Sequence, residues 1–176
     1  MILTDGDIIE YARMGRPLVK PFNKKNLTPN GYDLSMEEVK VGIYTDKLDK
    51  DLIISIPVRT HFKILTQESV ELPDDMTATL WLRSSYARKG ILATFGYVDV
   101  GFHGKIVVNL YNASTQTLYI NPFEKRTFCQ IVFEKLDKMP LANYSKRSGN
   151  YQNQKSLKSI WNEGMEKGKA KDKNIS

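Results

Sequence analysis

Asp99 and Phe102 stand three residues apart in residues 96–112, GYVDVGFHGKIVVNLYN, and Asp99 is the one carboxylate of that stretch. Gly101 and Gly104 let the backbone turn where side chains would forbid it, so a planar ring can lie against bare peptide with a carboxylate beside it. The expected result is a nucleobase pocket with a buried Asp99. Read alone, such an Asp is also a turn residue that bonds its own backbone.

A second candidate is RSSYARKG, residues 83–90. Arg83 and Arg88 present paired donors, and Ser84 and Ser85 add hydroxyls and amides where a helical turn would begin, a competent anion site. Its plain alternative is a capped turn with solvated charges. Gln130 sits in the apolar run TFCQIVF and must find partners if buried. Asp33 in GYDL either braces a turn or reaches the waters of a metal ion. The two histidines, His61 and His103, and the single cysteine, Cys129, have no zinc-ligand spacing, which excludes zinc-dependent chemistry. A lone cysteine in an apolar run reads as a small buried hydrophobe.

The elements that must position these residues follow from periodicity. Thr4 ahead of Asp5, Ile8, Ile9 and Ala12 at helical spacing, and Gly15 with Pro17 predict one short N-terminal helix. After it the period is two. Strands are expected at 52–56, 61–66, 77–83, 91–95, 105–111, 117–120 and 127–134, punctuated by Pro57, Pro73, Gly90, Gly101 and Pro122. Regular short strands of this kind predict an all-β domain, closed or sandwiched.

Composition sets the class. The 176 residues are 41% hydrophobic and 26% charged, the profile of one domain with a real core, expected over residues 1–144. The net charge of +6 is not spread evenly: residues 145–176 hold eight basic and three acidic side chains, so the body is almost neutral. That stretch is expected to be a mobile basic tail with one anchor at 157–161, and nucleic-acid binding is disfavoured. No apolar run reaches the ~20 residues that span a bilayer, so a cytoplasmic protein with no membrane contact is expected.

Four stretches in order resemble the motifs of the trimeric dUTPase and dCTP deaminase superfamily: residues 29–34 (PNGYDL), 83–90, 96–104 and 127–133. The resemblance implies a distorted jelly roll, or β-clip, and a homotrimer with sites between subunits. It implies phosphate binding by Arg83, Ser84, Ser85, Arg88 and Gln130. Base and sugar would meet Phe95, Gly96, Tyr97, Val98, Phe102 and Asn109. SGNYQNQKS, residues 148–156, resembles the deaminase-like closing segment, with Tyr151, Gln152, Gln154 and Lys155 as its lid residues.

In the deaminases of the superfamily a Glu shuttles protons at the position of Asn109, and an amide cannot take up and return a proton. The resemblance therefore implies dUTP as substrate, cleaved to dUMP and pyrophosphate by an Asp99-activated water. Mg2+ would sit on the triphosphate, with Asp33 touching it through water. The alternatives are dCTP deamination, a bifunctional enzyme taking dCTP to dUMP, and a non-catalytic nucleotide- or nucleic-acid-binding protein.

Overall fold

The structure is a computed structural model that describes residues 1–42, 44–47, 53–120 and 127–157. Helix α1 (Asp5–Arg13) starts where the Thr4 hydroxyl accepts a hydrogen bond from the Asp7 amide, and the Asp7 carboxylate accepts in turn from the Thr4 amide at 2.8 Å and the Thr4 hydroxyl at 2.7 Å. Those bonds hold the Asp7 carboxyl below its ordinary pKa. Ile8 turns into the core. Twelve strands follow: β1 (Val19–Lys20), β2 (Leu27–Thr28), β3 (Gly31–Val41), β4 (Tyr44–Lys47), β5 (Ile54–Ile56), β6 (His61–Glu71), β7 (Met76–Leu82), β8 (Ile91–Thr94), β9 (Tyr97–Val98), β10 (His103–Asn112), β11 (Leu118–Ile120) and β12 (Thr127–Lys135). Among the described residues two short helices join them, α2 (Ser84–Ala87) between β7 and β8 and α3 (Tyr144–Arg147) after β12.

The path β8-β10-β6-β3-β12-β7-β9 is antiparallel throughout, and β5 with β11 forms a separate pair. Strand β3 explains how one sheet encloses a core. Residues 32–35 pair with β12 and the strand from Met36 onward pairs with β6, in a ladder that carries a bulge between Met36 and Glu38. Residues 31–36 are consequently buried on both faces. Gly31 is required there, since a Cβ would lie 2.4 Å from the Ile131 carbonyl oxygen. Tyr32, Leu34, Met36, Phe62, Ile64, Phe128, Ile131 and Phe133 fill the interior.

This is the expected all-β, distorted jelly-roll class with a short N-terminal helix. The seven expected strands occur with no end moved by more than five residues, apart from Leu52, which lies outside the described residues. Strand β3 was not expected. Residues 145–157, expected as the start of the tail, continue from α3 and pack on the 99–105 hairpin, with Leu157 buried. The rest of the expected anchor, to Trp161, lies outside the described residues. Among the described residues, no helix is long and apolar enough to cross a membrane.

Candidate active site

A cavity of about 360 Å³ lies along β10. Lys105, Val107 and the exposed Asn109 line it from one phase of the strand, and the buried Ile106 and Val108 line it from the other, while Leu110 is buried outside it. Directly across from Asn109 lie Lys63 on β6 and Thr94 on β8, and both line the same cavity. Phe95, Gly96, Tyr97, Val98, Asp99 and Phe102 form the opposite wall, and Tyr144, Tyr151, Gln154 and Leu157 close one end. The expected base and sugar residues thus share one cavity. Asp99 is exposed, contrary to the expected burial, and its carbonyl accepts from the Phe102 amide at 3.1 Å to close the turn.

The hairpin glycines admit a neighbour other than a ring. A Cβ on Gly101 would meet Asn143 and Asp74 at 2.9 Å, and one on Gly104 would meet the Gln154 amide at 2.8 Å. Both glycines have positive φ, 74° and 144°. Their bare backbone lets residues 143–154 lie against the hairpin. Asn153 donates to the His103 carbonyl and Lys105 to the Gln154 carbonyl, each at 2.8 Å. Phe102 is buried edge-on against Tyr144, ring centroids 5.7 Å apart. Of the expected lid residues, Tyr151 and Gln154 line the cavity, Gln152 bonds the hairpin, and Lys155 is exposed.

The phosphate candidates gather elsewhere. Arg83 ion-pairs with Asp33 and donates to the Thr127 hydroxyl at 2.9 Å, in a cleft of about 390 Å³ with Asn26 and Ser35. Gln130, level with Asp33 in the β3–β12 register, donates to Thr28 at 2.6 Å. Ser84 and Ser85 are exposed in the first turn of α2, and Arg88 lines a third cleft with Lys89 and residues 113–119. None of Arg83, Ser84, Ser85, Arg88 and Gln130 lines the Asn109 cavity. Asp33 is engaged by Arg83, and among the described residues no three His, Cys, Asp or Glu side chains converge as a metal site. The residues present do not fit a magnesium ion held by the protein.

Sequence reasoning missed Lys63, Lys105, Glu37 and Glu68. Glu37 bonds the Lys105 ammonium, whose pKa burial pulls below the ordinary lysine value. Glu68 accepts from the Ser35 amide at 2.8 Å in the interior, and burial raises its carboxyl pKa. Burial likewise pushes the Cys129 thiol up, which fits the expected inert core cysteine. Lys105 was legible in principle, because it is in phase with Asn109 on one strand.

Comparison with known proteins decides the family: the dCTP deaminase-like profile matches residues 2–136. The chain belongs to the dCTP deaminase-like family. It is 41% identical over 136 residues to dCTP deaminase of Pyrococcus horikoshii, covering 77% of this chain and 84% of that protein. It is 31% identical over 154 residues to the dUMP-forming dCTP deaminase of Hydrogenobaculum sp., covering 80% and 85%. The solved 2'-deoxycytidine 5'-triphosphate deaminase of Agrobacterium tumefaciens superposes with a TM-score of 0.63 at 17% identity, over 76% of this chain and 47% of that one.

These relatives overturn the expected dUTP hydrolysis, which rested on the missing carboxylate at Asn109. Several further relatives at 37–38% identity carry the name dCTP deaminase as well. The error was physical: loss of one carboxylate removes one proton carrier, whereas Lys63, Asp99 and Lys105 line the same cavity as Asn109 in this dCTP deaminase-like chain.

Proposed function

We propose that the chain deaminates dCTP, releasing ammonia and leaving a uracil nucleotide. The observation that carries this reading is the 41% identity to a dCTP deaminase over 136 residues, and the dCTP deaminase-like family model spans residues 2–136, through β12. The cavity beside Asn109 is the size of a nucleobase and sugar site and combines apolar walls with a few polar groups. In this reading the base lies along β10. Phe102 packs the deoxyribose, and Asp99 accepts from the sugar hydroxyl.

Deamination adds water to C4 of cytosine, places a proton on N3 and breaks the C4–N4 bond. Asn109 holds the attacking water, since its amide both donates and accepts. The Lys63 ammonium, directly across the strands, gives a proton to N3 and regains one from the water. The hydroxyl proton of the adduct then leaves with ammonia, and C4=O remains. No step is assigned to magnesium, because Asp33 is occupied by Arg83.

The triphosphate needs donors beyond the cavity's two lysines, because Lys105 is held by Glu37 and this reading commits Lys63 to the base. We assign them to Arg83, Ser84 and Ser85 of a neighbouring copy in a homotrimer. The exposed Trp81 and Tyr97, on adjacent strands β7 and β9, supply apolar surface for such a contact. Incubating the protein with dCTP and with dUTP, and identifying products by chromatography and ammonia assay, tests the reading. Ammonia and a uracil nucleotide from dCTP are expected, lost in Asp99→Asn. Absence of any uracil nucleotide from dCTP overturns it.

A further inference from the structure

Glu37 owes its direction to the bulge in β3. Met36 opposes Thr66 and Glu38 opposes Leu65, so neighbours on β6 face residues two apart on β3, and Glu37 is the extra residue between them. A bulge of this kind re-aims the side chain it expels from the ladder. The Glu37 carboxylate meets the Lys105 ammonium, and because β6 lies between β3 and β10, the ion pair crosses over that strand. Both side chains are mostly buried, 20% exposed for Lys105 and 29% for Glu37.

Lys105 also lines the cavity, and Asp99 is the one carboxylate among the residues lining it. Asp99 is exposed, and among the described residues nothing pairs with its carboxylate. The two are close along the chain: Asp99 closes its turn at Phe102, and β10 begins at His103, two residues before Lys105. An ammonium on a flexible four-carbon stem is drawn to a free carboxylate, the more so where water is partly excluded. We propose that Glu37 is a positioning residue for the nucleotide pocket: it holds the Lys105 ammonium away from Asp99 and so leaves that carboxylate free to accept from the substrate. Without Glu37, Lys105 turns into the cavity and occupies Asp99, since a partly buried charge left without its partner is costly.

The other charged groups around Lys105 are already committed. Glu71, one pair along the β10–β6 ladder from Lys105, is held by Lys20 at 2.7 Å. Glu68 accepts from the Ser35 amide at 2.8 Å in the interior. Lys63, the cavity's second cation, stands level with Asn109, four residues along β10 from Lys105. Asp99 and Lys105 are therefore the pair that forms when Glu37 is removed.

The inference rests on the dCTP reading only for what Asp99 accepts, so one arm of the experiment uses no nucleotide. A water-soluble carbodiimide joins a lysine to a carboxylate in contact with it, and peptide mass spectrometry identifies the pair. The unmodified protein should give Lys105 joined to Glu37. Glu37→Gln keeps the shape and removes the charge, and should give Lys105 joined to Asp99. It should also lower kcat/KM for dCTP roughly tenfold, the worth of one hydrogen bond to a charged group. Adding Lys105→Met removes the intruding cation, so the double variant should lose that crosslink and recover most of the lost activity. A loss caused by disturbed folding would deepen on removing a second side chain. In Glu37→Gln, Lys105 joined to Glu71 or to no carboxylate overturns the proposal. So does a double variant no more active than Glu37→Gln when the unmodified protein deaminates dCTP. A switched crosslink with kcat/KM unchanged overturns the positioning role. A switched crosslink with no deamination by any of the proteins sustains Glu37 as the residue that withholds Lys105 and overturns the dCTP reading instead.

Discussion

Asn109 and Lys63 are opposite each other in the β10–β6 register and line one cavity, and in the proposed deamination they carry the proton transfer. A carboxylate at 109 could accept the water's proton outright, whereas the Asn–Lys pair must pass it through an ammonium that gives one proton before it takes another. Asn109→Glu is therefore expected to raise kcat for dCTP by roughly 10²-fold, the lower end of what general acid–base groups supply. Lys63→Met should lower kcat at least tenfold in the unmodified chain and have little effect beside Glu at 109, a non-additivity that rate measurements on the four proteins would reveal. If Asn109→Glu leaves the rate unchanged, proton transfer is not what limits this site. At this scale the sequence exposed Asp99, Phe102 and Asn109 because each breaks a local pattern. Lys63 stayed hidden because its significance lies in a cross-strand register that no single segment encodes.

The elements were legible where one face meets solvent. Strands β6, β7, β10 and β12 alternate along their sequence, and their burial alternates with it over most of their length. Strand β3 carries Asp33, Ser35, Glu37 and Glu38 among its apolar residues, which reads as polar irregularity. Its first half is buried on both faces, where Asp33 pairs with Arg83, the Ser35 hydroxyl accepts from Asn26 at 3.3 Å and the Ser35 amide donates to Glu68. The hairpin glycines misled in another way: their conformational freedom was legible, but what lies against them, Asp74 and residues 143–154, comes from distant parts of the chain. Gly104→Ala should accordingly destabilise the fold by roughly 1–3 kcal/mol, through both its φ of 144° and the 2.8 Å approach of Gln154. Gly15→Ala is the control, since its φ of 73° carries the backbone strain with nothing within 4 Å of the new Cβ. Denaturant melts should show the larger loss for Gly104→Ala, with protease cleavage appearing first at 148–156. Equal losses for the two would mean that the close approach costs nothing.

At the scale of the whole molecule, the sequence motifs fold into two separate places. Residues 29–34, 83 and 127–130 meet around Arg83, while residues 95–109 and 144–157 surround the cavity beside Asn109. The order of motifs along the chain could not reveal this division, because it depends on β3 and β12 bringing distant segments together. A nucleoside triphosphate spanning both kinds of site is served if one chain presents its hairpin to the Arg83 cleft of the next. In a cyclic trimer each site then takes its parts from two chains. Asp99→Asn spoils the hairpin side. Arg83→Gln spoils the phosphate side while keeping an amide for Asp33 and Thr127. Each variant alone should be inactive. Mixed in equal amounts and allowed to exchange, about one quarter of sites combine an intact hairpin with an intact cleft, so about one quarter of the unmodified activity should return. Mass spectrometry of the intact assemblies establishes that exchange occurred. Mixed trimers without recovered activity would show that each chain builds its site alone, and the triphosphate would then have to be held by the cavity's own Lys63 and Lys105.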